Sequence, residues 1–184
     1  MNAPTHRAEF QKLARIAQVL QHHDAQFVVI GGFAIEAQYP HLGYRTRDID
    51  FTPRASAANL ERVSQALYEL DARVRHGDQS FPFSHDGDSL SRASVWNLVC
   101  DYGTFDLSFQ PTSMGGYDDI IANARLVPVA VGSATIDIPC ASLAEITASK
   151  QALHRDKDQL LLPLLHDQLA AERSAEPPAP GIGL

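Results

Sequence analysis

Two aspartates, Asp48 and Asp50, are separated by one apolar residue in the segment Asp48-Ile49-Asp50-Phe51. Because side chains alternate between the faces of a β-strand, a strand here places both carboxylates on one face, about 6 to 7 Å apart along the chain, and turns Ile49 and Phe51 towards a core. Parallel carboxylates repel each other unless a cation lies between them. Mg²⁺ suits such a pair, since it binds one or two protein carboxylates and takes its other ligands from water and phosphate. The alternative is a pair of solvated acids at a strand edge.

Two adjacent glycines, Gly31 and Gly32, follow the apolar run Phe27–Ile30 directly. The run predicts a strand that is buried on both faces. The glycines allow a sharp turn and carry no side chain that would keep a ligand from the backbone, and a helix predicted to begin at Phe33 directs its N–H groups to the same place. This arrangement favours an anion site, with a plain tight turn as the alternative. Beside the aspartates, it indicates a site for phosphate and its accompanying metal ion.

A third acid, Asp106, falls in the middle of a predicted strand. Residues 94–100 and 104–109 are typical of a β-hairpin with its turn at residues 101–103. In the second arm the apolar side chains face one way and Asp106 faces the other. A carboxylate in a strand otherwise suited to burial is costly unless it is paired or bound to a cation. The alternative is an outward-facing acid on a solvated sheet face.

These features together resemble a known family. An apolar strand, a Gly-Gly pair, a helix and the run Thr46-Arg47-Asp48-Ile49-Asp50 are similar to the signature of the nucleotidyltransferase superfamily, which is Gly-Gly or Gly-Ser, a spacer and Asp-x-Asp. More narrowly, the pattern resembles the AbiE-type, MenT-like toxins of bacterial type IV toxin–antitoxin systems. The spacer is a few residues longer here, which predicts an enlarged loop at residues 39–43. Ser149-Lys150 and Arg155-Asp156-Lys157-Asp158 independently resemble the C-terminal Ser-Lys and Arg-x-Lys-Asp element of that family.

The resemblance implies a metal-dependent nucleotidyltransferase that moves a nucleoside monophosphate from an NTP, in particular a pyrimidine NTP, to the 3′ end of a tRNA. It implies the role of a growth-inhibiting toxin restrained by a cognate antitoxin protein, with Mg²⁺, or Mn²⁺ in its place, as cofactor. The implied metal ligands are Asp48, Asp50 and Asp106, which are also catalytic together with Lys150 and Asp158. The implied nucleotide-binding residues are Gly31, Gly32, Thr46 and Arg47.

The positions of three of these residues predict their contacts. Lys150 lies on a predicted helix, where its cation would reach the triphosphate or the departing pyrophosphate, and Asp158 would orient it. A salt bridge between two helices is the alternative for this pair. The hydroxyl of Thr46, two residues before the first aspartate, is expected to contact phosphate.

The overall charge leaves two other functions open. A net charge of −7 argues against a protein that coats nucleic acid through a broad basic surface, although residues 45–62 hold four arginines against three acids. The charge and the small size also fit a nucleotidyltransferase that modifies a small molecule, of aminoglycoside or lincosamide type, or a protein side chain. A partner-binding module that keeps the fold without activity is the third possibility.

The elements that must position these residues predict an α/β (α+β) fold, with a mixed sheet flanked by helices and a C-terminal helical segment. Residues 1–110 are expected to form the catalytic core, residues 111–173 to complete the same domain with a hairpin and helices, and residues 174–184 to form a mobile tail. Residues 71–91 are rich in Gly, Ser, Asp and His and predict a loop with one short strand at most.

Several features predict the location of the protein in the cell, the state of its cysteines and the capping of two helices. The sequence has no run of 18 apolar residues and no signal-peptide core, which predicts a cytoplasmic protein with no membrane partner. Cys100 and Cys140 lack CxxC spacing and are expected to be reduced thiols. Ser56 is expected to cap one helix, and Ser142 with Glu145 to form a capping box at another.

Overall fold

A computed structural model describes residues 3–175 of the 184-residue chain. Its strands are β1 Phe27–Ile30, β2 Asp48–Pro53, β3 Arg73–His76, β4 Gln79–Phe81, β5 Val95–Cys100, β6 Gly103–Ser108, β7 Arg125–Val131 and β8 Ala134–Cys140. Its helices are α1 Ala3–His22, α2 Gly31–Gln38, α3 Ala57–Glu69, α4 Gly87–Leu90, α5 Tyr117–Ile121, α6 Leu143–Leu153, α7 Asp156–Gln159 and α8 Leu162–Ala175, with a 3-10 helix at Pro40–Leu42.

The strands form one mixed sheet in the order β4-β3-β5-β6-β2-β1-β8-β7. Strand β2 runs parallel to β6, and β1 runs parallel to β8, whereas the other neighbouring pairs are antiparallel. The predicted mixed α/β fold is therefore confirmed. The hairpin β7–β8 joins the sheet through β1, so the later part of the chain extends the sheet that holds the three aspartates.

The core sets the register of the strands that carry the aspartates. Phe51 packs edge-to-face against Phe27 of β1 and Phe105 of β6, with ring centroids 5.3 and 6.4 Å apart. These rings are almost fully buried, as is Ile49. A slip of one residue would turn this set to the other face and bring the aspartates into the core. Burial of the aromatic side chains therefore keeps the carboxylates on the opposite face, as the alternation in β2 predicted.

The segment 71–91 differs from the prediction. Instead of a loop with one strand at most, it forms the hairpin β3–β4 and the short helix α4. Gly77, with φ of +59°, makes the turn between the two strands. Val74 pairs with Leu98, which joins the hairpin to β5. The hairpin lies at the edge of the sheet and its side chains are mostly exposed or half-buried, so it lacks the apolar alternation that reveals a strand in sequence.

The helix ends were predicted in part. The Ser142–Glu145 capping box is confirmed, since each residue's backbone N–H donates to the other's side chain. Ser56 is the N-cap residue of α3, but its side chain makes no capping hydrogen bond. The helices predicted for the segment after Ser142 are α6, α7 and α8. In the predicted tail 174–184, residues 174 and 175 end α8, and residues 176–184 lie outside the described part of the chain.

The structure also bears on the predictions for the two cysteines and for membrane-spanning segments. Cys100 and Cys140 are free thiols, as predicted. Burial raises the pKa of Cys140 to about 12. Within residues 3–175, no helix combines the length and apolar character needed to cross a membrane.

Candidate active site

One cavity of about 400 Å³ collects most of the residues that the sequence singled out. Its wall includes Gly31, Gly32, Asp48, Asp50, Asp106, Lys150 and Asp158. These residues come from the β1–α2 junction, the adjacent strands β2 and β6, and the C-terminal helices α6 and α7. Two of the predicted site residues, Thr46 and Arg47, line a different cavity.

The parallel pairing of β2 and β6 brings the third aspartate to the first two. Asp50 lies directly opposite Asp106 in the register, and Asp48 lies opposite Thr104. Residues at the same level of neighbouring strands point to the same face of a sheet. All three aspartates are half-buried and line the same cavity. The sheet therefore presents three carboxylates on one wall.

Asp106 already has a cationic neighbour. Nη2 of Arg75, on β3, donates to Oδ1 of Asp106 at 3.2 Å. Burial raises the pKa of Asp106, the charge of Arg75 opposes that rise, and the charge of Asp48 adds to it. Sequence reasoning missed Arg75, because it lies in the segment that lacked a strand pattern.

Because Gly31 and Gly32 have no side chains, they leave room for the side chains of neighbouring residues. Gly31 has φ of +65°, and a β-carbon there would collide with Oδ2 of Asp50. A β-carbon at Gly32 would lie 2.8 Å from the hydroxyl oxygen of Tyr44 and 2.9 Å from Oγ1 of Thr46. Helix α2 begins at Gly31 rather than at Phe33. The side chain of Tyr44 thus lies next to the space that the sequence predicted for phosphate.

Thr46, which was predicted to contact phosphate, contacts the first aspartate. Its hydroxyl donates to Oδ1 of Asp48 at 3.1 Å and to the backbone carbonyl of Asp48 at 2.9 Å. A hydroxyl two residues from a suitable acceptor readily makes such a local bond. Arg47, which was predicted to bind the nucleotide, is exposed and lines the second cavity with Lys12 and Tyr102. We therefore leave Arg47 out of the proposed nucleotide-binding set.

Glu36 is a buried carboxylate behind this contact. Its Oε2 accepts the backbone N–H of Thr46 at 2.8 Å, and its Oε1 lies 2.5 Å from Nε2 of His6. Arg45 also pairs with Glu36, at 3.6 Å. Another arginine of the stretch 45–62, Arg54, pairs with Asp118. The local excess of arginines is therefore partly neutralised and does not form a single basic patch.

Lys150 and Asp158 form a buried ion pair on the cavity wall. Nζ of Lys150 donates to Oδ1 of Asp158 at 2.7 Å, and their side chains are 11% and 3% exposed. The other carboxylate oxygen of Asp158 is buried and has no hydrogen-bond partner among residues 3–175. The pair makes the salt bridge that was the alternative prediction for these residues, and it also lines the cavity that holds the aspartates. The geometry is therefore compatible with both interpretations of Lys150.

Tyr44 was missing from the predicted set. Nζ of Lys150 lies 5.9 Å from the centroid of its ring. Burial, followed by the charges of Asp48, Asp158 and Asp50, raises the pKa of Tyr44 to about 12. Tyr44 belongs to the long spacer between Gly32 and Asp48, and the length of that spacer was the only sequence signal for it.

The fold matches a solved structure along almost its whole length. No protein-family model matches the sequence, and no curated protein matches it significantly. A provisionally assigned nucleotidyltransferase from Thermotoga maritima aligns with a TM-score of 0.52 at 16% identity, covering 91% of this chain and 96% of that one. This chain has the nucleotidyltransferase fold.

Two further solved structures align with this chain at lower TM-scores. Lincosamide antibiotic adenylyltransferase LnuA, bound to lincomycin, aligns with a TM-score of 0.49 at 17% identity over 84% of this chain and 94% of its own. Antibiotic-resistance factor ANT(2'')-Ia aligns with a TM-score of 0.44 at 14% identity over 90% and 95%.

The donor set of this nucleotidyltransferase-fold cavity fits a hard cation. Within the described residues, no three His, Cys, Asp or Glu side chains converge as a complete metal site. Mg²⁺ in phosphate chemistry needs only one or two carboxylates, because phosphate and water supply the other ligands. Asp48 and Asp50, which line this cavity from the same strand, meet that requirement. Carboxylate oxygens favour Mg²⁺ or Mn²⁺ over softer metals.

Proposed function

We propose that this protein is a metal-dependent nucleotidyltransferase, which transfers a nucleoside monophosphate from an NTP to an acceptor hydroxyl and releases pyrophosphate. One observation carries the proposal: Asp50 and Asp106 lie side by side on parallel strands, in a cavity that also holds Asp48 and Lys150. Phosphate groups need cations or donors, and the acceptor hydroxyl needs an acceptor for its proton. This cavity offers groups of both kinds.

In the proposed reaction, the acceptor oxygen forms a bond to the α-phosphorus, and the bond from that phosphorus to the bridging oxygen of pyrophosphate breaks. Asp48 and Asp50 would hold Mg²⁺ or Mn²⁺, which when bound offsets the negative charge of the phosphates. Asp106, beside Asp50, is positioned to take the proton of the acceptor hydroxyl. Lys150 would stabilise the charge that develops on the departing pyrophosphate, while Asp158 orients the lysine.

The proposed acceptor is the 3′ end of a tRNA, and the proposed role is that of a toxin restrained by an antitoxin protein. Support comes from the resemblance of the segments 46–50 and 149–158 to MenT-like toxins. Arg155, which is exposed and lines the cavity, adds a cation where an RNA phosphate would approach. A pyrimidine NTP is the donor that the same resemblance implies.

A small-molecule acceptor is the second candidate, and a specific part of the wall favours it. Beyond the aspartates, the cavity is lined by the neutral polar side chains of Asn97, Ser108, Gln110 and Thr112. Such groups hydrogen-bond the hydroxyls and amines of a small molecule and fix its orientation. The net charge of −7 also suits a cationic acceptor such as an aminoglycoside better than a large polyanion.

Labelled NTPs test the function and separate the acceptors. The protein is incubated with each α-labelled NTP and Mg²⁺, with either total tRNA or a panel of aminoglycosides and lincosamides. Asp48→Asn is compared with Asp101→Asn, which removes an exposed acid outside the cavity. Label on tRNA that is lost in Asp48→Asn and after periodate oxidation of the tRNA 3′ end supports the first candidate. Label on an antibiotic supports the second, and no transfer from any NTP to either class contradicts the function.

Expression in bacteria tests the toxin role separately. Growth arrest by the wild type, retained in Asp101→Asn and absent in Asp48→Asn, is the expected result. Normal growth with active protein present would contradict the toxin role and leave the enzymatic proposal in place.

A further inference from the structure

We propose that Tyr44 is a phosphate-binding residue, which donates its hydroxyl to the triphosphate of the bound NTP. The inference deepens the proposed function and rests on it, because the NTP is the ligand concerned. Tyr44 belongs to no part of the motif that identified the site. It lies in the spacer between the 3-10 helix at Pro40–Leu42 and strand β2.

The hydroxyl of Tyr44 lies beside the glycine pair, and the charges of Asp48, Asp158, Asp50 and Glu36 also reach it. It contacts the Gly32 position, where a β-carbon would lie 2.8 Å from the oxygen and 3.0 Å from Cε1 of the ring. Gly32 belongs to the first turn of α2, where backbone N–H groups have no partner within the helix. Nζ of Lys150 lies 5.9 Å from the centroid of the ring. The phenol is therefore flanked by the two groups that would attract a phosphate.

The ion pair of Lys150 explains why another donor is needed. Lys150 donates to Asp158 at 2.7 Å, so its charge is largely balanced within the protein. The aspartates that line the same cavity add negative charge that a triphosphate must also overcome. A neutral hydroxyl contributes a hydrogen bond without a further buried charge. Tyr44 remains such a donor at neutral pH, because burial and the nearby carboxylates hold its pKa at about 12.

The backbone has a defined contact or turn on each side of Tyr44. Gly43 ends the 3-10 helix in a left-handed conformation, with φ of +69°. On the other side, the backbone N–H of Thr46 donates to buried Glu36 at 2.8 Å. A side chain between two such anchors loses little conformational freedom on binding. The spacer, which is longer than the family pattern, thereby holds a donor over the glycine pair.

Calorimetric titration of the full-length protein tests the inference without requiring turnover. The probes are inorganic tripolyphosphate, each NTP and adenosine, with Mg²⁺ in excess. Tyr44→Phe removes only the hydroxyl, and Tyr102→Phe removes one from a tyrosine outside this cavity. We expect Tyr44→Phe to weaken tripolyphosphate and NTP binding about tenfold, because a hydrogen bond to a charged group is lost. Tyr44→Phe should bind adenosine as the wild type does. Tyr102→Phe should bind every probe as the wild type does.

The outcomes separate this inference from the proposed function. Equal affinity of Tyr44→Phe and wild type for tripolyphosphate and NTP, with an unchanged thermal unfolding midpoint, overturns the role of Tyr44 and leaves the nucleotidyltransferase proposal intact. A wild-type protein that binds neither tripolyphosphate nor any NTP overturns both. Equal weakening of adenosine and NTP binding in Tyr44→Phe also contradicts a phosphate contact, since it would place the hydroxyl at the nucleoside.

Discussion

Glu36 holds Thr46 through a buried hydrogen bond, in which the backbone N–H of Thr46 donates to Oε2 of Glu36 at 2.8 Å. The hydroxyl of Thr46 in turn donates to Oδ1 of Asp48 at 3.1 Å. A chain of hydrogen bonds thus runs from a helix to the first carboxylate of the site. One oxygen of Asp48 is oriented by the protein, and the other can serve a cation, which is how outer contacts tune metal ligands.

Removal of the Thr46 hydroxyl should weaken metal binding. Thr46→Val keeps the shape of the side chain but cannot donate to Asp48, so we expect Mn²⁺ affinity to fall about tenfold or more. Thr46→Ser retains the hydroxyl and should bind Mn²⁺ nearly as the wild type does. Electron paramagnetic resonance titration of Mn²⁺ measures both. Identical Mn²⁺ affinity in the valine and serine variants would show that the hydrogen bond only supports the fold.

Gly31→Ala should abolish activity and destabilise the protein. The added methyl group meets a positive φ and also the carboxylate of Asp50. Gly43→Ala is a matched control, because Gly43 has a similar φ of +69° but no atom within 4 Å of an added β-carbon. In Gly43→Ala, the free energy of unfolding should fall only by the cost of placing an alanine in the left-handed conformation, about 1 to 2 kcal/mol. This control should keep its activity. Urea unfolding and the transfer assay measure both effects, and equal losses in the two variants would argue against a special role for Gly31.

Arg75 should govern the activity of Asp106. Asp106→Asn removes the proposed proton acceptor and should lower kcat about 100-fold or more. Arg75→Ala should lower kcat by less, and Arg75→Lys should restore part of it. Because the two side chains are bonded, the double variant should be no slower than Asp106→Asn alone. If the two substitutions instead lower kcat by independent factors that multiply in the double variant, Arg75 does not act through Asp106.

Local patterns predicted the central strands well. In β2, the alternation of Ile49 and Phe51 with the aspartates reports burial directly, because one face of the strand packs into the core. Asp106 could be found for the same reason, since its hairpin is formed by residues close in sequence. A contact between Lys150 and Asp158 was also predicted, within the segment 149–158 that resembles the C-terminal element of the toxin family.

Contacts between distant segments could not be predicted in this way. Arg75 reaches Asp106 only because an edge hairpin with mostly solvated side chains pairs with β5, and such strands carry no apolar alternation. Glu36 has the composition of an ordinary helix acid until the fold buries it against Thr46. Tyr44 gains its position from the path of a spacer whose length was visible in the sequence but whose path was not.

Stability should fall at mildly acidic pH because of His85. This side chain is buried and stacks on the ring of Tyr68. Its Nδ1 shares a hydrogen bond with the hydroxyl of Ser64, with 2.9 Å between the two atoms. Burial lowers the pKa of His85 from its usual value of 6.5. The unfolded chain therefore binds a proton more readily, so the free energy of unfolding should decrease as the pH falls below about 6.5. Urea unfolding between pH 5 and 7 should show a smaller decrease for His85→Gln, and an equal slope would exclude His85 as the cause.

The Lys150–Asp158 pair should be separable into a structural and a functional contribution. Lys150→Met leaves Asp158 as a buried carboxylate without its cation and should destabilise the protein by about 3 to 5 kcal/mol. Replacing both partners, as Lys150→Met with Asp158→Leu, removes the buried charges together and should restore most of that stability, because well-packed apolar residues often replace a buried pair at no cost.

The same double variant distinguishes the two interpretations of Lys150. If the pair only joins two helices, the refolded double variant should transfer nucleotides as the wild type does. If Lys150 stabilises the departing pyrophosphate, stability returns in the double variant but kcat stays low, because the lysine cation is missing from the cavity wall. We expect the second result. Urea unfolding and single-turnover transfer on the same preparations provide both measurements, and recovery of kcat along with stability would reduce Lys150 to a structural residue.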